Sequence, residues 1–306
     1  MSAFLKPLFR LCSTVFGVIV LTYFVMASIP GNPVFSIYDK GISQEVLNKK
    51  LESEKLSILD LNKFFIFSKK LISFNFGKSK ITGEDINKEL KIRVFNTLKL
   101  TLLAVFIFLV FGLGLGLLGA LYSGSFLDQI FKMITAMFMS TPVFWFGLVL
   151  MIIFSLKLSW FPVSGSDSFS HLVLPSLTIG LRPAAFLQRL VQSRVEDALQ
   201  APFVQVAMSK GLSPSYVLIH HALRNALIPI VTIITLEFSQ LMTGAVVAET
   251  IFSYKGVGTY IIQGINSRDY NIILATVFIS CLFVILSNLL LDLSYPFIDP
   301  RIKKQA

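Results

Sequence analysis

The chain has 306 residues, 54% of them hydrophobic and only 14% charged, with a mean hydropathy of +0.74, which excludes a water-soluble globular domain and makes this a membrane protein. Its two cysteines, Cys12 and Cys281, lie in apolar runs without paired or CxxC spacing, which excludes a disulfide framework and a zinc site. The formal charge of +10 comes mostly from Lys and Arg flanking apolar runs, with no aromatic-interleaved basic stripe, so it marks a membrane surface and not a nucleic-acid partner.

A hydrocarbon core of about 30 Å takes roughly 20 residues to cross at about 1.5 Å per residue. Six stretches meet that requirement: Leu11 to Ile29, Leu100 to Leu121, Met133 to Leu156, Leu172 to Leu190, Ala226 to Ala248, and Ile272 to Leu293. The first follows Lys6 and Arg10 like a signal peptide, but it is long for a signal h-region and Ala27-Ser28-Ile29 is a poor cleavage site, so it reads as an uncleaved span. The expected fold is an all-α integral membrane protein of six transmembrane helices. Its parts are an N-terminal helix (1–30), a periplasmic segment (31–97), a transmembrane core (98–295) interrupted by a cytoplasmic loop at about 196–226, and a cytoplasmic tail (296–306).

In the periplasmic segment, Leu61 to Phe74 ("LNKFFIFSKKLISF") has the apolar spacing of a small amphipathic helix. Gly77-Lys78-Ser79 is the tail of a phosphate-loop pattern, but position 72 is Ile and no strand precedes it, so an ordinary loop is expected and no nucleotide site. In the second span "GLGLGLLGA" (Gly112 to Ala120) superficially resembles a dinucleotide fingerprint. Gly112, Gly116 and Ala120 at four-residue spacing instead give a flat face for a neighbouring helix. Pro142 in the third span and Pro183 in the fourth are expected to bend their helices.

Between the fourth and fifth spans the chain turns polar: "QVAMSKGLSPSYVLIHHALRNALIP" (Gln205 to Pro229). Gly211 suits a left-handed helix end, and Ser213-Pro214 suits an N-cap followed by a first-turn proline, so a helix, a sharp turn and a second helix are expected. Phe203, Val206, Ala207 and Lys210 share a face of the first helix, and apolar and basic groups alternate in the second from Val217 through Leu218 and His221. An interfacial hairpin on lipid and a docking surface for a soluble partner both fit this pattern. His220 and His221 point about 100° apart and His171 belongs to the other side of the membrane, so no metal site is expected.

With the N-terminus inside, the short inner connections carry Lys6, Arg10, Lys132, Arg194, Lys210, Arg224, Arg301, Lys303 and Lys304. The short outer loops carry only Lys255 and Arg268 beyond the edge residue Lys157. Both termini are therefore expected in the cytoplasm. The Lys-rich outer segment from Gly31 to Thr97 runs against this, but long loops translocate largely regardless of charge.

The run "YVLIHHALRNALIPIVT" (Tyr216 to Thr232) resembles the cytoplasmic loop of the membrane subunits of bacterial ABC importers for peptides and nickel. "GVIVLTYFVMASIPGNPV" (Gly17 to Val34), "STPVFWFGLVLMIIFSLKLSWFPVSG" (Ser140 to Gly165), "GAVVAETIFSYKGVGTYIIQGINSRDY" (Gly244 to Tyr270) and the "DPRIK" tail from Asp299 are similar to the same family, the first of its two subunit types. The resemblance implies that the loop is the coupling region, seated in a groove of a cytoplasmic ATPase, with Phe203, Gln205, Val206, Ala207, Lys210, Gly211, Ser213, Pro214 and Tyr216 as its contacts. Gln205 stands where the family signature has Glu, and Pro202-Phe203 where the peptide branch has an acidic then an aromatic residue. It further implies a second permease chain, two ATPases that hold ATP and Mg, an extracytoplasmic binding protein and surrounding lipid as partners, with no cofactor in this chain.

The loop Glu249 to Asp269 is implied to face the binding protein, with Gly256 and Gly258 giving a tight backbone and Arg268-Asp269 a surface charge pair; Lys255 replaces the usual proline. Arg182 stands where relatives are usually apolar and Glu237 where they often have Gln. Both fall near the midplane, Arg182 about 15 Å inward from Leu172 and Glu237 about 14 to 16 Å from the inner end of its span. With Gln240 they are the expected pathway residues, and mutual compensation of the two charges is one expectation for them. No catalytic constellation is present, so transport and not covalent chemistry is expected. An ion-coupled carrier using Glu237 and Asp292, or a scaffold recruiting a cytoplasmic partner, are the rival readings.

Overall fold

In hydrocarbon every backbone N–H and C=O has to be satisfied within the protein, and a chain of long apolar runs does this as helices. The computed structural model describes residues 2–28, 61–79, 81–211, 213–217 and 223–298. Among them the regular elements are helical, and the one extended pairing is an antiparallel bridge between Lys78 and Asp85. The helices are α1 (Ser2–Ser28), α2 (Leu61–Ile72), α3 (Ile86–Leu121), α4 (Phe126–Ser140), α5 (Val143–Leu150, continued by a π-helical turn, Met151–Lys157), α6 (Ser170–Leu199), α7 (Pro202–Ser209), α8 (Pro214–Val217), α9 (Leu223–Ile251), α10 (Val257–Ser267) and α11 (Tyr270–Ile298). By length and apolarity alone, α3 and the Tyr270–Leu289 part of α11 can each cross a membrane, joined by the α4–α5 pair if it counts as one broken span. The helices α6 and α9 carry Arg182, Arg189 and Glu237 inside their apolar stretches, which lowers their hydropathy.

The third predicted span departs from a single bent helix. α4 and the α5 segment meet at 108°. Pro142 has no N–H to donate, and its ring disfavours helical torsions at the residue before it. Thr141 accordingly sits at φ −85°, ψ 127° and Pro142 at φ −62°, ψ 135°, both extended. Pro175 and Pro183, by contrast, lie inside a continuous α6.

The chain forms two compact units, Met1–Phe95 with Gly256–Leu286 and Asn96–Lys255 with Ser287–Ala306. In the first, Ile19, Leu71, Phe76, Ile86, Leu90, Tyr260, Ile272 and Phe278 form the core. The expected helix α2 turns Phe64, Phe67 and Leu71 onto it at i, i+3 and i+7, while Phe65 stays exposed. Tyr23 meets Phe64 and Phe67 edge-on at 5.3 and 5.4 Å. The Gly77-Lys78-Ser79 turn is structural: Gly77 takes φ +74°, and Ser79 Oγ donates to the buried Asp269 carboxylate at 2.6 Å.

In the second unit the core joins Leu100, Ala104 and Phe108 of α3, Leu187, Val191 and Val195 of α6, and Ile230, Leu241, Ala245 and Ala248 of α9. The glycine face of α3 is a packing surface, as expected. A Cβ at Gly112 would stand 2.7 Å from Leu187, and one at Gly116 would stand 2.7 Å from Val191. Gly180 repays the approach from α6, where a Cβ would meet the Ala104 carbonyl oxygen at 2.8 Å. Lipid gives no hydrophobic drive for helix association, so close van der Waals contact of this kind is what joins α3 to α6.

Candidate functional site

Helices α7 and α8 form the expected helix, turn and second helix start, of which Pro214–Val217 is described, while Leu223 to Ala226, expected in the second helix, open α9 instead. α7 ends as Lys210 N–H donates to both Val206 and Ala207 carbonyls at 3.2 Å, and Gly211 follows at φ +82°, a left-handed conformation that favours glycine. α8 then starts on Pro214, with Ser213 Oγ accepting from Tyr216 N–H at 3.4 Å and the Ser213 carbonyl from Val217 N–H at 3.0 Å. Another expectation is corrected. Ala207, expected on one face with Val206 and Lys210, is buried with Val204 and Val217, against Leu199, while Val206 and Lys210 are exposed. The hairpin thus has a small core of its own, Val204 and Ala207 lying three residues apart on one side of α7, with Val217 across the turn and Leu199 of α6 against them. Val206, Lys210 and Tyr216 remain exposed, two large apolar groups beside a cation. The backbones of Phe203, Gln205 and Pro214 are helical, and their side chains lie outside the description, as do residues 218–222 with both histidines.

The predicted pathway residues converge. Arg182 on α6 with Glu237 and Gln240 on α9 line one pocket of about 330 Å³, whose apolar wall includes Phe186, Leu241 and Val247. Among the described residues Arg182 and Glu237 make no hydrogen bond or ion pair, with each other or with any other group.

The residues predicted for the outer loop are less superficial than expected. Glu249 is fully buried at the end of α9, where its carboxylate accepts from Thr97 Oγ1 at 2.6 Å. Beside it Tyr254 Oη donates to the Asn96 carbonyl at 3.2 Å and Asn96 Nδ2 to the Lys255 carbonyl at 2.8 Å. In the other unit Gly256 caps α10, its N–H donating to Thr259 Oγ1 at 3.1 Å, and Gly258 is buried in the first turn. Arg268 is exposed at φ +55°, whereas Asp269, expected beside it on the surface, is buried. Besides Ser79, it accepts from the N–H groups of Asn271 (3.1 Å) and Ile272 (3.4 Å), capping α11. A carboxylate with three such donors in a buried place is held for structure. Arg93 lies 4.3 Å over the Tyr260 ring and 2.6 Å from Glu89, fixing α10 to the start of α3. Burial pushes the Tyr260 phenol up to about 12, so it stays neutral at physiological pH.

A polar cluster escaped the sequence reading. On α6, Gln188, Gln192 and Glu196 recur every fourth residue, which stacks them on one face. Gln188 Nε2 donates to Gln192 Oε1 at 2.9 Å, and Gln192 Nε2 donates to Asp128 Oδ1 at 2.7 Å and Glu196 Oε1 at 2.9 Å. Thr135 Oγ1 of α4 donates to Gln188, and Lys132 Nζ to Asp128 at 2.8 Å. The i, i+4 repeat of Gln and Glu was the available signal; its partners on α4 were not. Among the described residues no three His, Cys, Asp or Glu side chains converge as metal ligands do.

A family model described as the binding-protein-dependent transport system inner membrane component matches residues 112–304. The di/tripeptide transport system permease protein DppB of Pseudomonas aeruginosa (strain UCBPP-PA14) is similar at 33% identity, covering 96% of this chain and 96% of that protein. The glutathione transport system permease protein GsiC of Escherichia coli (strain K12) is similar at 31%, covering 98% of each. Among solved structures, the MetNI methionine ABC transporter in inward-facing conformations shares the fold with a TM-score of 0.58 at 19% identity, over 69% of this chain and 96% of that one. An amino acid ABC transporter crystallised with histidines does so at 0.55 and 17%, over 67% and 92%.

Proposed function

The chain belongs to the family of inner membrane components of binding-protein-dependent transport systems, and from that premise we propose that it imports short peptides or a related small solute, driven by ATP hydrolysed on partner subunits. It is a multi-pass inner-membrane permease subunit and works within a transporter complex. In this reading the partners are a second permease chain, two cytoplasmic ATPases carrying ATP and Mg, and an extracytoplasmic binding protein. Both termini face the cytoplasm.

The hairpin of α7 and α8 carries the reading. Its own buried residues Val204, Ala207 and Val217 make it a lever that keeps its shape, and Val206, Lys210 and Tyr216 offer an ATPase groove two apolar anchors and a charge. α7 follows α6 after only two residues, so displacement of the hairpin acts on the helix that bears Arg182. Nucleotide-driven closure of the ATPases would move the hairpin as a body and shift α6 and α9 about the pocket. Arg182, Glu237 and Gln240 then border the solute's path, while Gly256, Gly258 and Arg268 belong to the part of the first unit that meets the binding protein, its backbone held by Asp269.

The test is cross-linking. Val206→Cys, paired with cysteines along the groove of the ATPase in the assembled complex, should form a disulfide whose yield changes between nucleotide-free and ATP-trapped states. Cross-links confined to lipid-facing residues, with none to the ATPase, would refute the lever.

A further inference from the structure

The Arg182–Glu237 pocket poses a physical problem. A cation and an acidic residue on two helices of an apolar bundle are costly to keep there, and charges so placed ordinarily compensate each other. Here both border the same pocket of about 330 Å³ and feel each other's field across it, but among the described residues no hydrogen bond or close ion pair joins them or ties either to another group. Opposite charges held apart across a gap are complementary to a molecule carrying the reverse arrangement.

We propose that this pocket is a solute-binding site of the permease itself, selecting zwitterions: a carboxylate on Arg182 and an ammonium group on Glu237. This rests on the importer reading and deepens it. Arg presents a planar fork of donors that matches a carboxylate, and Glu237 accepts from an ammonium. A solute with one charge would leave the second protein charge without a counter-ion, an uncharged solute would leave both, and a bare metal cation would be repelled by Arg182. Only a solute with both charges offsets both. The volume lies at the lower end of the range usual for small-molecule sites, roughly 300 to 1,000 Å³, and fits a short peptide. Phe186, Leu241 and Val247 give its side chains an apolar wall without fixed donors, a surface that is indifferent to which side chain passes.

The experiment uses the whole complex, with both permease chains, ATPases and binding protein, in proteoliposomes, with Ala-Ala and glutathione as probe solutes. Arg182→Gln and Glu237→Gln should each lower ATP-driven uptake of the transported probe at least tenfold, with assembly and receptor-stimulated ATP hydrolysis retained. Arg182→Lys, which keeps the charge, should recover a third or more of wild-type uptake. The double exchange Arg182→Glu with Glu237→Arg, which keeps a zwitterion-complementary pocket in reverse, should exceed either single reversal. Gln variants within twofold of wild type would overturn the site while leaving the importer intact. A fall that follows loss of assembled complex, in Arg182→Lys as in Arg182→Gln, would overturn it as a structural effect. A wild-type complex that hydrolyses ATP and moves neither probe overturns the peptide reading and this site with it.

Discussion

Gly211 isolates one physical cause. It holds φ +82°, and a Cβ built there meets nothing within 4 Å, so a substitution creates no clash within this chain and its cost is that of the backbone alone. A non-glycine residue in the left-handed region costs roughly 1 to 2 kcal/mol, less for Asn, whose side chain supports the conformation locally, and more for a β-branched residue. That cost falls on a surface hairpin whose buried core is three small residues, so it should open the hairpin locally and leave the membrane bundle standing. One to two kcal/mol changes a closed-to-open ratio about 5- to 30-fold. Transport per ATP hydrolysed, measured in proteoliposomes, should therefore fall in the order Gly, Asn, Ala, Val, with Gly211→Asn near wild type and Gly211→Val losing most coupling. The melting temperature of the complex should not follow that order. If Asn damages coupling as much as Val, or Val leaves it normal, the left-handed turn is not what the lever requires.

Gly116→Val should lower the thermal stability of the solubilised complex, at a cost of about 1 to 3 kcal/mol for overpacking, because its Cβ would stand 2.7 Å from Val191 and 2.9 Å from the Gln188 carbonyl. Gly114→Val is the control, since nothing lies within 4 Å of that Cβ; equal losses would remove the packing argument. Gln192→Leu should destabilise by about 1 to 3 kcal/mol by taking a donor from the buried Asp128, read as a lower denaturation midpoint, and Asp128→Asn should not add its full separate cost to it. For topology, Ser253→Cys, exposed, should react with an impermeant thiol reagent applied outside to spheroplasts, faster than Ser267→Cys, which is half-buried. Labelling of both only after membrane rupture would invert the orientation.

What was legible in the sequence was local chemistry. Gly211 with Ser213-Pro214 specifies its turn within four residues, and the four-residue spacing of Gly112, Gly116 and Ala120 requires a close neighbour whatever that neighbour is. Leu61–Ile72 is helical because its apolar residues recur at helical spacing. Pairings over long separations were not legible. Glu249 was placed at the start of an outward-facing loop, but Thr97, 152 positions away, supplies a donor to its buried carboxylate; Asp269 was read as half a surface charge pair, but Ser79, 190 positions away, donates to its buried carboxylate. Ala207 was misassigned for a related reason. Its face is decided by Val217 across the turn, and a helical wheel drawn on α7 alone contains no such residue. The break at Thr141-Pro142 was foreseen as a bend; its 108° depends on extended torsions at two residues and not on proline alone.

The central claim concerns the energy source. Uptake of Ala-Ala or glutathione into proteoliposomes holding the complete complex should require ATP on the face that bears the α7–α8 hairpin, stop with a non-hydrolysable analogue, and persist when ionophores collapse every ion gradient. Uptake that proceeds without ATP and disappears with the ionophore would contradict the account and identify an ion-coupled carrier.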